Sequence, residues 1–296
     1  MHKFYKKISI IIPTYNRKKI LKKCLESLVI QDYPKNKIEI LVIDNNPNFN
    51  TKILVESFYK KYSFVKHVFE KKQSSYICRN KGLKIASGDI ICFLDDDCTV
   101  GKNWLKKINE FHIKNKNIIV IFQRMMGCSS IWEKAIFDWS FFQIEYSIKK
   151  RNTEDLFFPT PSITFKRKLV PKNFLFREWK RGSDVDFAKR LISLGKYKYY
   201  DNNLIYHHNI TNLFTALSRC FLYGKSGFKL DKLKNRRKKS FTTFPIILFI
   251  KSFKMARISN QKNFLFFFIF IFLQVFFAFG YIYMLILNFI KKQFKY

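Results

Sequence analysis

The chain has 296 residues, 48% of them hydrophobic, enough for one large α/β domain plus an appendage, so disorder is not the expectation. Its formal net charge of +35 is extreme. The basic residues are spread along the chain among Asn, Ile and Phe and gather in no binding motif, so no nucleic-acid partner is expected; biased composition and contact with an anionic membrane surface account for the charge. Cysteines occur at 24, 78, 92, 98, 128 and 220, with no C-x-x-C pair and no Cys/His spacing of a zinc site. They read as reduced residues of a cytosolic compartment. The opening MHKFYKKISIIIP lacks a proper hydrophobic region and cleavage site, so a signal peptide is not expected.

In chain order, residues 8–12 (ISIII) suit a buried parallel strand, being apolar and rich in β-branched residues. PTYNR follows, and then Ile20, Leu21, Cys24, Leu25, Leu28 and Val29 fall on one face of a helix. Residues 38–43 (IEILVI) are a second buried strand, stopped by Asp44-Asn45-Asn46-Pro47. A helix over about 50–62 leads to a short strand near 64–69, and Tyr76 to Ala86 is amphipathic and ends at Ser87-Gly88. The strand 90–94 (IICFL) runs straight into Asp95-Asp96-Asp97. Beyond residue 117 the pattern loosens: a strand at 118–122, a helix within 131–148, a short strand at 162–165, a helix at 184–194, a strand at 203–207 and a helix to about 222. This alternation predicts a doubly wound, mostly parallel sheet, whose ligands collect at the carboxyl ends of the strands. Those ends carry Thr14, Asn16, Asp44 and Asp95 to Asp97. There is no G-x-G-x-x-G and no Walker A sequence.

The composition then changes. Lys229 to Lys239 is densely basic, and Phe264 to Ile290 has no charge at all. At about 1.5 Å per residue that stretch exceeds the ~30 Å hydrocarbon core, so the expectation is a transmembrane helix. Its flanks are basic on both sides, which leaves orientation undecided and keeps a re-entrant or interfacial segment open. Residues 241–250 (FTTFPIILFI) are too short to cross alone.

Three adjacent carboxylates after a buried strand repel one another. A hard divalent cation relieves this by taking oxygen ligands, and the ion can then bridge to a diphosphate. The bland alternative is a solvated acidic turn. The wider sequence bears on the choice. ISIIIPTYNRKKILKKCLESL, ILVIDNN, CRNKGLKIASGDIICFLDDD, RGSDVDFAKRLISLG and LIYHHN, in that order over residues 8 to 227, resemble glycosyltransferase family 2, whose members have a GT-A fold and invert the anomeric centre.

The resemblance implies roles. Pro13, Thr14, Tyr15, Asn16 and Arg17 would line the nucleotide pocket, and Asp44 would accept from the base, with uracil favoured. Arg79 would pair with the diphosphate through its planar fork. Asp95 and Asp97 would hold Mn²⁺ or Mg²⁺, with Asp96 on the ribose. His207 would be a third metal ligand. Asp184 would be the base that deprotonates the acceptor hydroxyl, with Asp186 as a substitute. Gly182-Ser183-Asp184 stands where the family usually has Gly-Glu-Asp, which keeps the base and alters its neighbour. Trp179 could stack on an acceptor sugar, and Arg219 and Lys225 could add positive charge over the donor.

The expectation is therefore a GT-A domain over residues 1–228, a basic juxtamembrane segment over 229–263 and a hydrophobic segment over 264–290. The chain would sit on the cytoplasmic face of the cell membrane. It would move a sugar from a nucleotide-diphosphate sugar to a membrane-borne glycan or lipid-linked saccharide. A polyprenyl-phosphate acceptor is the alternative of the same fold, and a non-catalytic protein bound to the membrane surface is the alternative of another class.

Overall fold

The computed structural model describes residues 4–47, 50–138, 159–177, 183–209, 212–233 and 264–293. The chain divides into two compact units, one formed by Met1–Met126 with Ser147–His208 and the other by Gly127–Tyr146 with Asn209–Tyr296. Residues 209–228, grouped with the N-terminal domain on sequence, fall in the second unit.

The first unit is built on one mixed sheet. Strands β1 (Ile8–Thr14), β2 (Ile38–Asp44), β3 (Val65–Phe69) and β4 (Ile90–Phe93) are parallel, with β1 between β2 and β4. Every residue of β1, β2 and β4 is buried, as continuous apolar runs in a covered parallel sheet must be. Helices α1 (Lys18–Val29), α2 (Asn50–Tyr59) and α3 (Ser75–Ile85) are the crossovers. Helix α1 turns Leu21, Cys24, Leu25 and Leu28 inward, and α3 starts on the Ser74 side chain, which accepts from the Tyr76 N–H. At Gly82 a methyl group would collide with Ile11, so only glycine lets α3 lie this close to β1.

The second half of the sheet departs from the parallel expectation. After β5 (Cys98–Val100) and α4 (Trp104–Lys114) come β6 (Val120–Gly127), β7 (Ile163–Lys166), α5 (Ser183–Ser193) and β8 (Tyr197–His207). The order across the sheet is β3-β2-β1-β4-β7-β6-β8-β5, with β7 antiparallel to both β4 and β6, and β8 antiparallel to β5. Three residues of β5 are too few for a periodic signal, and tertiary pairing with β8 makes that strand; α4, not read from the sequence, does place Trp104, Leu105, Ile108 and His112 on one buried helical face. Phe93, Phe176 and Phe187 pack ring against ring beneath the β4 end, with Phe176 and Phe187 stacked at 3.9 Å.

Two buried polar groups tie the sheet together. Glu39 accepts from the Ser9 and Ser87 hydroxyls and from the Ser87 N–H, and these bonds hold its carboxyl below the usual carboxylate range despite burial. His112 sits beside the Thr164 hydroxyl at 3.0 Å, and burial drives its pKa down to about 3, so it is a neutral core imidazole.

In the second unit, residues 131–138 are helical, followed by α6 (Leu213–Leu233) and α7 (Phe264–Gln293). Its core gathers Ala135, Ile136, Ala216, Cys220, Ile269 and Leu273. Glu133 is buried and caps a tight turn by accepting from the N–H groups of Cys128 and Ser129, and its other oxygen accepts from the Asn209 N–H. Within α7, Ile271–Ile290 is long and apolar enough to cross a membrane.

Candidate active site

The carboxyl ends of β1, β2 and β4 deliver the polar residues to one edge of the sheet. Thr14 closes β1 and lies opposite Asp44, the last residue of β2, and the Asn45 N–H donates to the Thr14 carbonyl at 3.0 Å. The strand β4 ends at Phe93, and Asp95 to Asp97 follow after one residue. Asn16 adopts the left-handed conformation (φ 53°), which an asparagine tolerates, and this bend returns Arg17 over the acidic run.

The three aspartates have separate partners. Asp96 is buried; it accepts from the Thr14 hydroxyl at 2.7 Å and from Arg17 at 3.2 Å. Burial outweighs these contacts and pushes the Asp96 carboxyl up to about 6, with its two acidic neighbours adding to the rise. Asp97 is also buried; one oxygen meets Arg17 at 2.8 Å and the other lies 3.4 Å from Nε2 of His207, the last residue of β8. Asp95 is the most open of the three and accepts from Arg79 Nη2. Arg79 is buried on α3, and its Nε has no partner among the described residues, which leaves a donor unspent. Beneath the cluster, Cys24 and Cys98 are buried, and burial with the neighbouring aspartates keeps their thiols protonated.

Asp184 lies in the first turn of α5, where its own N–H and that of Val185 donate to its carboxylate. It feels the charges of Arg79 and Asp95 directly, so it belongs to the same cluster, and burial raises its pKa. Asp186, its sequence alternative, is bound to Arg190 at 2.8 Å and Arg177 at 3.3 Å and is committed to those pairs. The neighbouring His208 donates its backbone N–H to the Asp97 carbonyl at 2.9 Å, and its ring Nε2 lies 2.8 Å from the Thr99 hydroxyl.

Thr14, Arg17, Arg79, Asp95, Asp96, Asp97, Asp184 and His207 are thus brought together, with Asp44 one strand across. Asp44 accepts from the Asn46 N–H at 3.0 Å and lies 3.2 Å from His67 Nε2. Pro13 is buried in β1, while Tyr15 projects outward and its hydroxyl accepts from Gln73 at 3.2 Å. Trp179 and Gly182 lie outside the described residues. Sequence reasoning missed Asn45, whose amide donates to the carbonyls of Glu70 and Lys72 and accepts from the Ser74 N–H. It clamps the loop between β3 and α3 to the site; its only signal was the turn dipeptide after Asp44.

Among the described residues, no group of three or more His, Cys, Asp and Glu side chains is gathered tightly enough to cage an ion. The donor set still fits an open divalent site. The Asp97 oxygen and the His207 nitrogen, 3.4 Å apart, can share one ion, Asp95 adds a hard oxygen beside them, and a diphosphate can supply the remaining oxygens.

The sequence model of glycosyl transferase family 2 matches residues 9–174. The chain belongs to that family. Among curated relatives it is 40% identical over 101 residues to glycosyltransferase AglE of Haloferax volcanii, a stretch covering 34% of this chain and 33% of that one. It is 38% identical over 93 residues to the GalNAc(5)-diNAcBac-PP-undecaprenol beta-1,3-glucosyltransferase of Campylobacter jejuni, covering 31% of this chain and 29% of that one. These matches span about a third of the relatives' length. Among solved structures, mannosyltransferase PcManGT from Pyrobaculum calidifontis, in complex with GDP-Man and Mn²⁺, aligns with a TM-score of 0.65 at 13% identity, covering 96% of this chain and 88% of that one. The chain therefore has the GT-A fold of its family.

Proposed function

We propose that this chain is an inverting glycosyltransferase that moves a sugar from a nucleotide-diphosphate sugar, with a UDP-sugar favoured, to a membrane-borne glycan or lipid-linked saccharide. The observation that carries the reading is that Asp184, a half-buried carboxylate, lies within the electrostatic reach of the Arg79–Asp95 ion pair beside an acidic run at the sheet edge. A base and a phosphate-binding group are what a single displacement at an anomeric carbon needs, one for the entering oxygen and one for the leaving group.

Thr14 to Arg17 and Asp44 bind the nucleoside, with Asp44 accepting from the base. Asp96 serves the ribose edge and fixes Thr14 and Arg17 in place. Arg79 meets the diphosphate with its planar fork. Asp95, Asp97 and His207 would hold Mn²⁺ or Mg²⁺, which when bound offsets negative charge on the diphosphate. Asp184 takes the acceptor hydroxyl proton as that oxygen bonds to the anomeric carbon; the bond from that carbon to the diphosphate oxygen breaks, and nucleoside diphosphate leaves. A raised pKa makes Asp184 a stronger base than a solvated aspartate. The lipid-linked or membrane-borne acceptor is inferred from the apolar α7, and the C. jejuni relative's name points to an acceptor on undecaprenol diphosphate. The basic tail and protonated thiols fit the cytoplasmic face of the membrane.

The test is a screen of donors by release of nucleoside diphosphate in detergent, with and without Mn²⁺ or Mg²⁺, on the wild type, Asp97→Ala and Asp184→Asn. Both variants should lose transfer, and only Asp97→Ala should also lose metal-dependent donor binding. Turnover retained in Asp184→Asn would remove the base assignment; no release from any sugar nucleotide would remove the activity.

A further inference from the structure

We propose that α6 and α7 lie flat in the membrane surface as a pair, with the apolar face of α7 in the lipid and α6 toward anionic headgroups, and that α7 does not span the bilayer. This rests on the membrane reading above and replaces a crossing with an in-plane seat.

The two helices run parallel. At their N-terminal ends Ala216 and Cys220 share a cluster with Ile269 and Leu273. In the middle, a methyl group on Gly224 would collide with the Phe277 carbonyl and one on Gly280 with the Phe221 carbonyl, so the backbones touch there. Further on, Phe228 packs on Tyr281 at 5.4 Å and Lys225 Nζ sits 5.0 Å above the Tyr283 ring. A cation of α6 is therefore held beside the middle of the candidate span Ile271–Ile290. Arg219 stands earlier on α6, and Lys229, Asp231 and Lys232 follow in its sequence. Were α7 to cross the bilayer, its partner would bring these charges to hydrocarbon depth, where charge is costly.

Connectivity gives the same answer. Parallel neighbours that both cross a membrane need a third crossing between them. The chain leaves α6 at Leu233 and enters α7 at Phe264, and the longest uncharged run between them is 240–250, about half of the ~20 residues a crossing takes. That run is bounded by Lys239 and Lys251.

Laid flat, the pair satisfies both halves. The exposed apolar residues Phe272, Val275, Phe279, Tyr283, Ile286 and Ile290 recur every three or four positions and form one stripe along α7. The occupant is an anionic phospholipid leaflet, because the charge of α6 and of residues 229–239 is almost wholly positive and an acyl layer matches the aromatic and aliphatic stripe.

The experiment places a nitroxide on Phe272→Cys, Phe279→Cys and Ile286→Cys, each in a Cys128→Ser background of the full chain, in vesicles of phosphatidylcholine with phosphatidylglycerol. Membrane depth is read from collision with oxygen against a water-soluble nickel chelate. The in-plane seat predicts the same depth at all three, with collision ratios equal within roughly twofold and depths of ~5–10 Å. A depth profile that changes along the ~20 Å between the first and last label overturns it, as does spin–spin broadening without oxygen access, which would mean that a second copy covers the stripe. Binding that is equal on vesicles of phosphatidylcholine alone also overturns it. Nucleoside diphosphate release, measured on the same samples in detergent, keeps the tests apart: release with a sloping profile sinks only the seat, and a flat profile without release sinks only the transferase reading.

Discussion

The acidic corner of the sheet and the α6–α7 pair are organised by opposite means. At the corner, hydrogen bonds and ion pairs fix the carboxylates through named partners: Thr14 and Arg17 on Asp96, Arg17 on Asp97, Arg79 on Asp95. In the helix pair, contact is made by glycines, rings and aliphatic groups, and a whole face is left apolar and open. A buried charge is tolerated only with its partners, so each corner residue depends on particular neighbours. An apolar face has no such addressing, and many sequences would serve. Changes at the corner should therefore alter chemistry with the fold intact, while changes in the pair should alter stability and location with the chemistry intact.

The largest effect should come from the corner. Asp184→Asn removes a proton acceptor without changing shape, and kcat should fall by about 10³-fold while donor binding, read by calorimetry, stays within about twofold. A fall in donor affinity instead of kcat would make Asp184 a binding residue. The same residue sets an acid limb. Only its ionised form takes a proton, and burial raises its pKa above 3.8, so kcat should fall with decreasing pH at a higher pH than a solvated aspartate would give.

Next in size, Gly280→Leu drives a side chain into the Phe221 backbone, and overpacking of this kind costs about 1–3 kcal/mol. Chemical denaturation in detergent should show the loss, with nucleoside diphosphate release per folded molecule unchanged. An equal loss of release would couple the pair to the site and break the contrast.

How far the two regions could be read from sequence follows the same division. The runs ISIII and IEILVI, with the turn Asp44-Asn45-Asn46-Pro47, marked the parallel strands and the edge where the site lies, because burial on both faces demands continuous apolar residues. Asp95 to Asp97 were legible because they stand at a strand end; Arg79 was singled out only by the resemblance to the family. The antiparallel β7 was not, since direction depends on a pairing with β4 and β6 that four residues cannot encode. Nor was the clamp by Asn45, which bonds to backbone groups that carry no sequence mark. In the tail, hydropathy marks an apolar segment and leaves a crossing, a re-entrant loop and an interfacial seat open; the parallel partner α6, invisible to a hydropathy window, is the observation on which the proposed in-plane seat rests.

A pH-dependent effect of similar size separates site from scaffold. His112 is buried neutral, with a pKa of about 3 against 6.5 when unfolded. Its contribution is present above 6.5 and is lost as pH falls from 6.5 toward 3, because only the unfolded chain binds the proton there. His112→Gln should flatten the stability profile in that window by on the order of 2–4 kcal/mol. The smallest change should be Asp186→Asn, which weakens partly exposed pairs with Arg177 and Arg190. It should cost about 1 kcal/mol or less in stability and leave transfer within about twofold. A larger loss of transfer would move the base from Asp184 to Asp186.

The most direct measurement is a crystal of the chain soaked with UDP-sugar and Mn²⁺. Density for the diphosphate against Arg79, with the ion between it and Asp95 and Asp97 and the anomeric carbon facing Asp184, is the predicted result. A nucleotide bound elsewhere, with Arg17 still holding Asp96 and Asp97 and no ion beside them, would contradict it.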